Sequence, residues 1–133
     1  MHNTDWFHQS KYGVMLHFLP QPYKETITRY PFFEDVPLMQ PADWNRLVER
    51  FDVHALVNQL ADVQAGYLLL SLGQCSGYYL APNPVYDQLC GFEAGERCTQ
   101  RDLPSEVYQA LHQHGMRLMF YLPIEPAQEG AAK

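Results

Sequence analysis

Apolar residues gather into three short, nearly unbroken runs, at residues 13–18 (GVMLHF), 67–72 (YLLLSL) and 116–122 (MRLMFYL). Each is flanked by Gly or Pro, the pattern expected of strands buried on both faces of a parallel sheet. Between the runs the spacing changes from continuous to helical. Val53, Leu56, Val57, Leu60 and Ala61 fall at i, i+3, i+4, i+7 and i+8, which predicts a helix with one apolar stripe. Asp52 stands at its N-cap, and Gly66 is placed to take a left-handed cap at its end. A second helix is predicted from Pro104 to about His114, with Asp102 capping, Pro in the first turn, Gly115 closing it, and Val107, Ala110 and Leu111 facing inward. Trp44, Leu47, Val48 and Phe51 suggest a shorter helix before the first.

The predicted order is β-α-β-α-β, an α/β chain with parallel strands. Its connections are unequal. The helix-to-strand links are a few residues around Gly66 and Gly115, whereas residues 19–41 and 73–101 form long strand-to-helix links. Long loops at the carboxyl ends of parallel strands are where such folds build binding sites, so chemistry is expected at His17 and Phe18, along residues 73–79, and just after Leu122. Three such strands leave sheet edges and one face uncovered, which predicts a partner or self-association.

Composition narrows the partners. The chain has 133 residues, 47% of them hydrophobic and 18% charged, in the range of one ordinary globular domain. Its net charge of −6 argues against nucleic acid and anionic membranes and favours small neutral or cationic ligands. No secretory leader and no apolar run of the roughly 20 residues a membrane span needs is present, so the expected location is cytoplasmic. Cys75, Cys90 and Cys98 are an odd set without CxxC spacing, which predicts free thiols rather than a zinc site. His112 and His114 lie two apart on a helix and diverge, so no metal and no cofactor is expected. No GxGxxG or GxxxxGK[ST] follows any strand, which disfavours a nucleotide binder.

Several words of the sequence carry a family resemblance. Trp6-Phe7-His8-Gln9-Ser10-Lys11-Tyr12-Gly13 leading into Val14-Met15-Leu16-His17-Phe18 resembles the opening of α-L-fucosidases of glycoside hydrolase family 29, in which WF-x-x-A-K-F-G precedes a strand ending His-Trp. Phe51-Asp52 and Tyr67-Leu68-Leu69-Leu70-Ser71 resemble the family's F-[DN]…AGAKY-hydrophobic-T stretch. Arg101-Asp102-Leu103 is similar to its G-R-D-L, and His114-Gly115-Met116-Arg117-Leu118 with Phe120-Tyr121 is similar to its H-G-[LM]-[KR]-x-G-x-Y-Y. The order is collinear over residues 5–122.

The resemblance implies a partial (β/α)₈ TIM barrel: its first three β-strand/α-helix units at residues 1–126, then a loose tail at 127–133, out of the about 250 residues of a whole barrel. It also implies a terminal α-linked, fucose-like sugar as ligand and the missing C-terminal barrel portion, or self-association, as partner. His17 matches the family's sugar-binding His, and Phe18 replaces Trp as a stacking face. Where the family has K-H-H-D-G-F, this chain has Gly73-Gln74-Cys75-Ser76-Gly77-Tyr78, so both paired His are lost. Gln74 keeps hydrogen-bonding capacity, and Cys75 is a poor substitute. The substrate-binding set implied is therefore His17, Phe18, Gln74, Cys75, Tyr78 and Tyr79.

Bland alternatives stand beside these roles. His17 is also readable as a core histidine, Tyr78 and Tyr79 as loop packing, Asp102 as a helix cap, Cys75 as an inert thiol, and Trp6 and Phe7 as a plug beneath the strands. Retaining glycosidases need two carboxyls about 5 Å apart. In the family these come from the fourth strand and later, so no catalytic residue is assigned here and no glycosidase activity is expected of this polypeptide alone. Two functions follow: the N-terminal piece of a fucosidase-like retaining hydrolase, or a non-catalytic carbohydrate-binding or assembly module that self-associates or docks on another subunit. The aromatic, Pro-rich residues 23–33 are expected to form a lid or an interface.

Overall fold

A computed structural model describes residues 4–18, 41–73 and 77–122 of the chain. In order these form α1 (Asp5–Gln9), β1 (Val14–Leu16), α2 (Pro41–Glu49), α3 (Val53–Asp62), β2 (Tyr67–Ser71), α4 (Pro84–Cys90), α5 (Leu103–Gln113) and β3 (Arg117–Tyr121). The strands make one sheet in the order β1-β2-β3, and both pairings are parallel. Registers run Val14↔Leu68 to Leu16↔Leu70 and Tyr67↔Arg117 to Ser71↔Tyr121. The α/β class and the parallel strands are thus as the sequence predicts.

The core lies on one side of the sheet. Leu68 and Leu70 of β2 are buried against Val57 and Leu60 of α3 and Val107, Ala110 and Leu111 of α5, with Val14, Leu16 and Leu118 partly covered beside them. Strand neighbours alternate in direction. Met15, Leu69 and Met119 therefore form a row on the other side, which we call the open face, and Met15 there is 46% exposed.

Helix boundaries follow capping chemistry. Asp52 accepts the Ala55 amide at 2.9 Å and Asp102 the Ser105 amide at 3.0 Å, each satisfying a donor that the first helical turn leaves unpaired. Gly115 takes φ +69 after α5, as expected. The expectation for Gly66 is corrected: α3 ends at Asp62, and the left-handed residue is Gln64 at φ 56. Gly66 is needed for a different reason, since a Cβ there would lie 2.4 Å from the Ser10 side chain. The short helix before α3 is present, but only Trp44 and Val48 face the core; Leu47 is exposed and Phe51 lies beyond the helix end.

Two helices, α1 and α4, were not foreseen. The loop expected over residues 73–101 contains α4, capped by the Asn83 side chain on the Tyr86 amide and closed by Gly91 at φ 72. The rest of that segment is stitched to the sheet. Leu80 N–H donates to Leu72 O, Tyr79 N–H to Arg97 O and Thr99 N–H to Tyr79 O, forming bridges at Gly73↔Tyr79 and Tyr79↔Cys98. No helix among the described residues is long and apolar enough to cross a membrane. The expected lid at residues 23–33 and tail at 127–133 lie outside the described residues.

Candidate functional site

Parallel strands bring their carboxyl ends to one edge, and the open face there carries His17, Ser71 and Tyr121. Leu16 pairs with Leu70, so His17 is level with Ser71, which in turn pairs with Tyr121. Ser71 is small and fully buried between two large neighbours. Over it the His17 and Tyr121 rings meet edge to face, with centroids 5.5 Å apart. The Ser71 hydroxyl accepts the Phe18 amide at 3.1 Å, fixing the turn out of β1. His17 is itself exposed, so its imidazole can donate and accept hydrogen bonds at this edge, next to the partly exposed Tyr121 phenol. Ser71 and Tyr121 are the members that sequence reading missed; the registers Leu16↔Leu70 and Ser71↔Tyr121 are what set both beside His17.

The opposite end of the open face is occupied by aromatic packing. Trp6 and Phe7 of α1 lie 6.0 and 5.1 Å from the Tyr67 ring, and the Arg117 guanidinium sits 4.6 Å above Trp6. Both residues pack at the amino end of β2, with Phe7 still 47% exposed.

Phe18 does not share the face of His17, because successive strand residues point to opposite sides. Its ring lies 4.9 Å from Phe51 and 5.7 Å from Trp44 on the helix-covered side, so the expected stacking face is corrected to a core contact. Tyr78 is 2% exposed, packed on Trp44 and under the Arg97 guanidinium, and burial, with Glu96 nearby, holds its phenol above the usual range. Tyr79 is half-buried, with its ring 4.8 Å from Tyr86 and its carbonyl accepting Trp44 Nε1–H at 3.1 Å. Loop packing is the reading these contacts favour for both tyrosines. Gln74 and Cys75 lie outside the described residues.

Arg101 and Asp102 are accounted for by structure. Arg101 Nη1 donates to the carbonyls of Val48, Glu49 and Phe51 at 2.7 to 3.1 Å, and its other nitrogens grip Glu106 at 2.9 and 2.6 Å. It thereby closes the carboxyl end of α2 onto α5. Among the described residues no three His, Cys, Asp or Glu side chains stand together as metal ligands would. None of the β1, β2 or β3 residues is acidic.

No protein-family model matches the sequence, and no curated protein sequence matches it. Solved structures do. The unliganded α-L-fucosidase AlfC from Lactobacillus casei aligns over 95% of this chain with a TM-score of 0.60 and 21% identity. The same enzyme in complex with its α-L-fucose product aligns over 96% with a TM-score of 0.61. An α-L-fucosidase of glycoside hydrolase family 29 from Bacteroides thetaiotaomicron aligns over 92% with a TM-score of 0.59 and 15% identity. The chain spans 42% of the length of the first of these and 30% of the last. The resemblance to family 29 fucosidases read from the sequence motifs is thus matched by a likeness of fold.

Proposed function

We propose that this chain forms the first three β/α units of a fucosidase-like (β/α)₈ barrel and supplies part of its sugar-binding rim. In this reading the open face becomes the barrel interior, and the row of Met15, Leu69 and Met119 becomes a layer of its core. His17 hydrogen-bonds a ring hydroxyl of a terminal fucose-like sugar, with Tyr121 beside it. The supporting observation is the position of His17: exposed, on the open face, at the carboxyl end of the first of three parallel strands. Cleavage with retention would need a pair of carboxylates from outside these strands, since β1 to β3 carry none.

Titration of α-L-fucose into the chain, followed by NMR at Ser71 and Tyr121, tests this. Saturable shifts that vanish in His17→Ala, at unchanged thermal stability, are expected. Binding that survives His17→Ala removes the assigned role, and release of nitrophenol from an aryl α-L-fucoside by the pure 133-residue chain overturns the division of labour.

A second reading is a carbohydrate-binding module that self-associates or docks on another subunit. It is favoured by apolar side chains left uncovered, Phe120 at 49% exposed and Leu122 at 60%, together with Met15 on the other face. Sizing chromatography separates the readings: a stable dimer supports the module, a monomer the barrel portion.

A further inference from the structure

The backbone ladder between β1 and β2 ends at the pair Leu16↔Leu70. Beyond it a side chain takes over: the Phe18 amide donates to the Ser71 hydroxyl at 3.1 Å, across 53 positions of the chain. Phe18 is held a second time by its ring, which lies 4.9 Å from Phe51 and 5.7 Å from Trp44 on the helix-covered side. His17 therefore sits between two fixed residues, Leu16 in the ladder and Phe18 in the clamp, and alternation sends its ring to the open face. There it meets the Tyr121 ring edge to face, with centroids 5.5 Å apart.

Ser71 is fully buried, so it touches no ligand itself, and whatever it does for one passes through its neighbours. Two properties suit it to that place. Its small side chain lets the His17 and Tyr121 rings meet over it, and its oxygen accepts an amide beyond the last ladder pair, which an alanine could not do. We infer that Ser71 is a positioning residue: its hydroxyl, through the Phe18 amide, fixes the backbone on the far side of His17 and holds the imidazole against Tyr121 before any ligand arrives. The direction of the strand end is thereby settled on folding rather than on binding, which lowers the cost of association. The consequence for sugar affinity rests on the role proposed for His17; the placement of the ring does not.

The test compares Ser71→Ala, Ser71→Thr and Ser71→Val with the unsubstituted 133-residue chain, each at a temperature where it is fully folded. Two quantities are measured: the NOEs between the His17 and Tyr121 rings without ligand, and the affinity for α-L-fucose. Threonine and valine fill the same space and differ in the oxygen. Ser71→Ala should lose the His17–Tyr121 NOEs, keep those between Trp6 and Tyr67 at the other end of β2, and weaken fucose binding by about two- to tenfold, the size of one hydrogen bond. Ser71→Thr should keep the ring contact that Ser71→Val loses, and this pair decides if the alanine variant fails to fold. Ring contacts that survive in Ser71→Ala, or threonine and valine variants that behave alike, overturn the inference. Joint loss of the Trp6–Tyr67 NOEs overturns it as well, because that is general loosening. Ring contacts that respond as stated in a chain that binds no fucose leave the positioning role standing and remove the sugar role, whereas fucose binding undiminished in Ser71→Ala with the contacts intact does the reverse.

Discussion

The two faces of the β1-β2-β3 sheet differ in composition and in burial. On the covered face Leu68 and Leu70 are sealed beneath α3 and α5. On the open face the Met15, Leu69 and Met119 row is only partly buried, and the strand ends carry His17, Ser71 and Tyr121. Hydrophobic free energy scales with the area actually removed from water, so the covered face holds the fold together while the open face adds little to it. The sharpest test of that division is Leu70→Ala. Removing a fully packed side chain between two helices should cost about 2–5 kcal/mol, read as a lower urea midpoint at constant slope. A cost below 1 kcal/mol would mean that the helices do not seal this face in solution, on the ordinary scale for surface changes.

The next effect comes from the staple at the edge of the covered face. Arg101→Ala removes the donor to three α2 carbonyls and the partner of Glu106, with an expected loss of about 2–3 kcal/mol, since the other groups remain and lose their bonds. Glu106 supplies a pH signature. Its hydrogen bond to Arg101 holds the carboxyl below its usual range in the folded chain. Its contribution is therefore complete above the ordinary carboxylate value and lost as pH falls through the lowered folded value. Glu106 is about half exposed, so that share is small. Denaturation curves between pH 7 and pH 3 should show a shallower acid-side decline in Arg101→Ala than in the unsubstituted chain; parallel declines would remove Arg101 as the cause.

The covered face was legible in the sequence because it is written in local patterns. The Val53–Ala61 periodicity, the Asp52 and Asp102 caps and the three apolar runs need no knowledge of distant residues. The open face was legible only in part. His17 stood out by its place at a strand end, but Ser71 and Tyr121 became site members through register, which pairs residues 50 apart. Phe18 was misassigned because a motif places a residue in order along the chain, whereas alternation decides the side on which it emerges. Helix α4 was missed although Asn83, Pro84 and Gly91 supply its cap, first turn and stop, because residues 73–101 read as one long strand-to-helix link. Arg101 shows the same limit, since carbonyls 50 to 53 positions away account for it.

The smallest expected effect sharpens the comparison most. Met15 lies on the open face, 46% exposed, on the edge strand β1. Met15→Thr introduces a β-branched residue suited to a strand and removes apolar area that the isolated chain hardly buries, so its stability should change by no more than about 0.5 kcal/mol. If the open face is covered when further β/α units close around it, the same substitution should weaken that association while leaving the lone chain intact. A loss above 2 kcal/mol in the 133-residue chain, growing with protein concentration, would show the opposite: the face is already covered by a second copy, because only a ligand of the folded state makes stability depend on concentration.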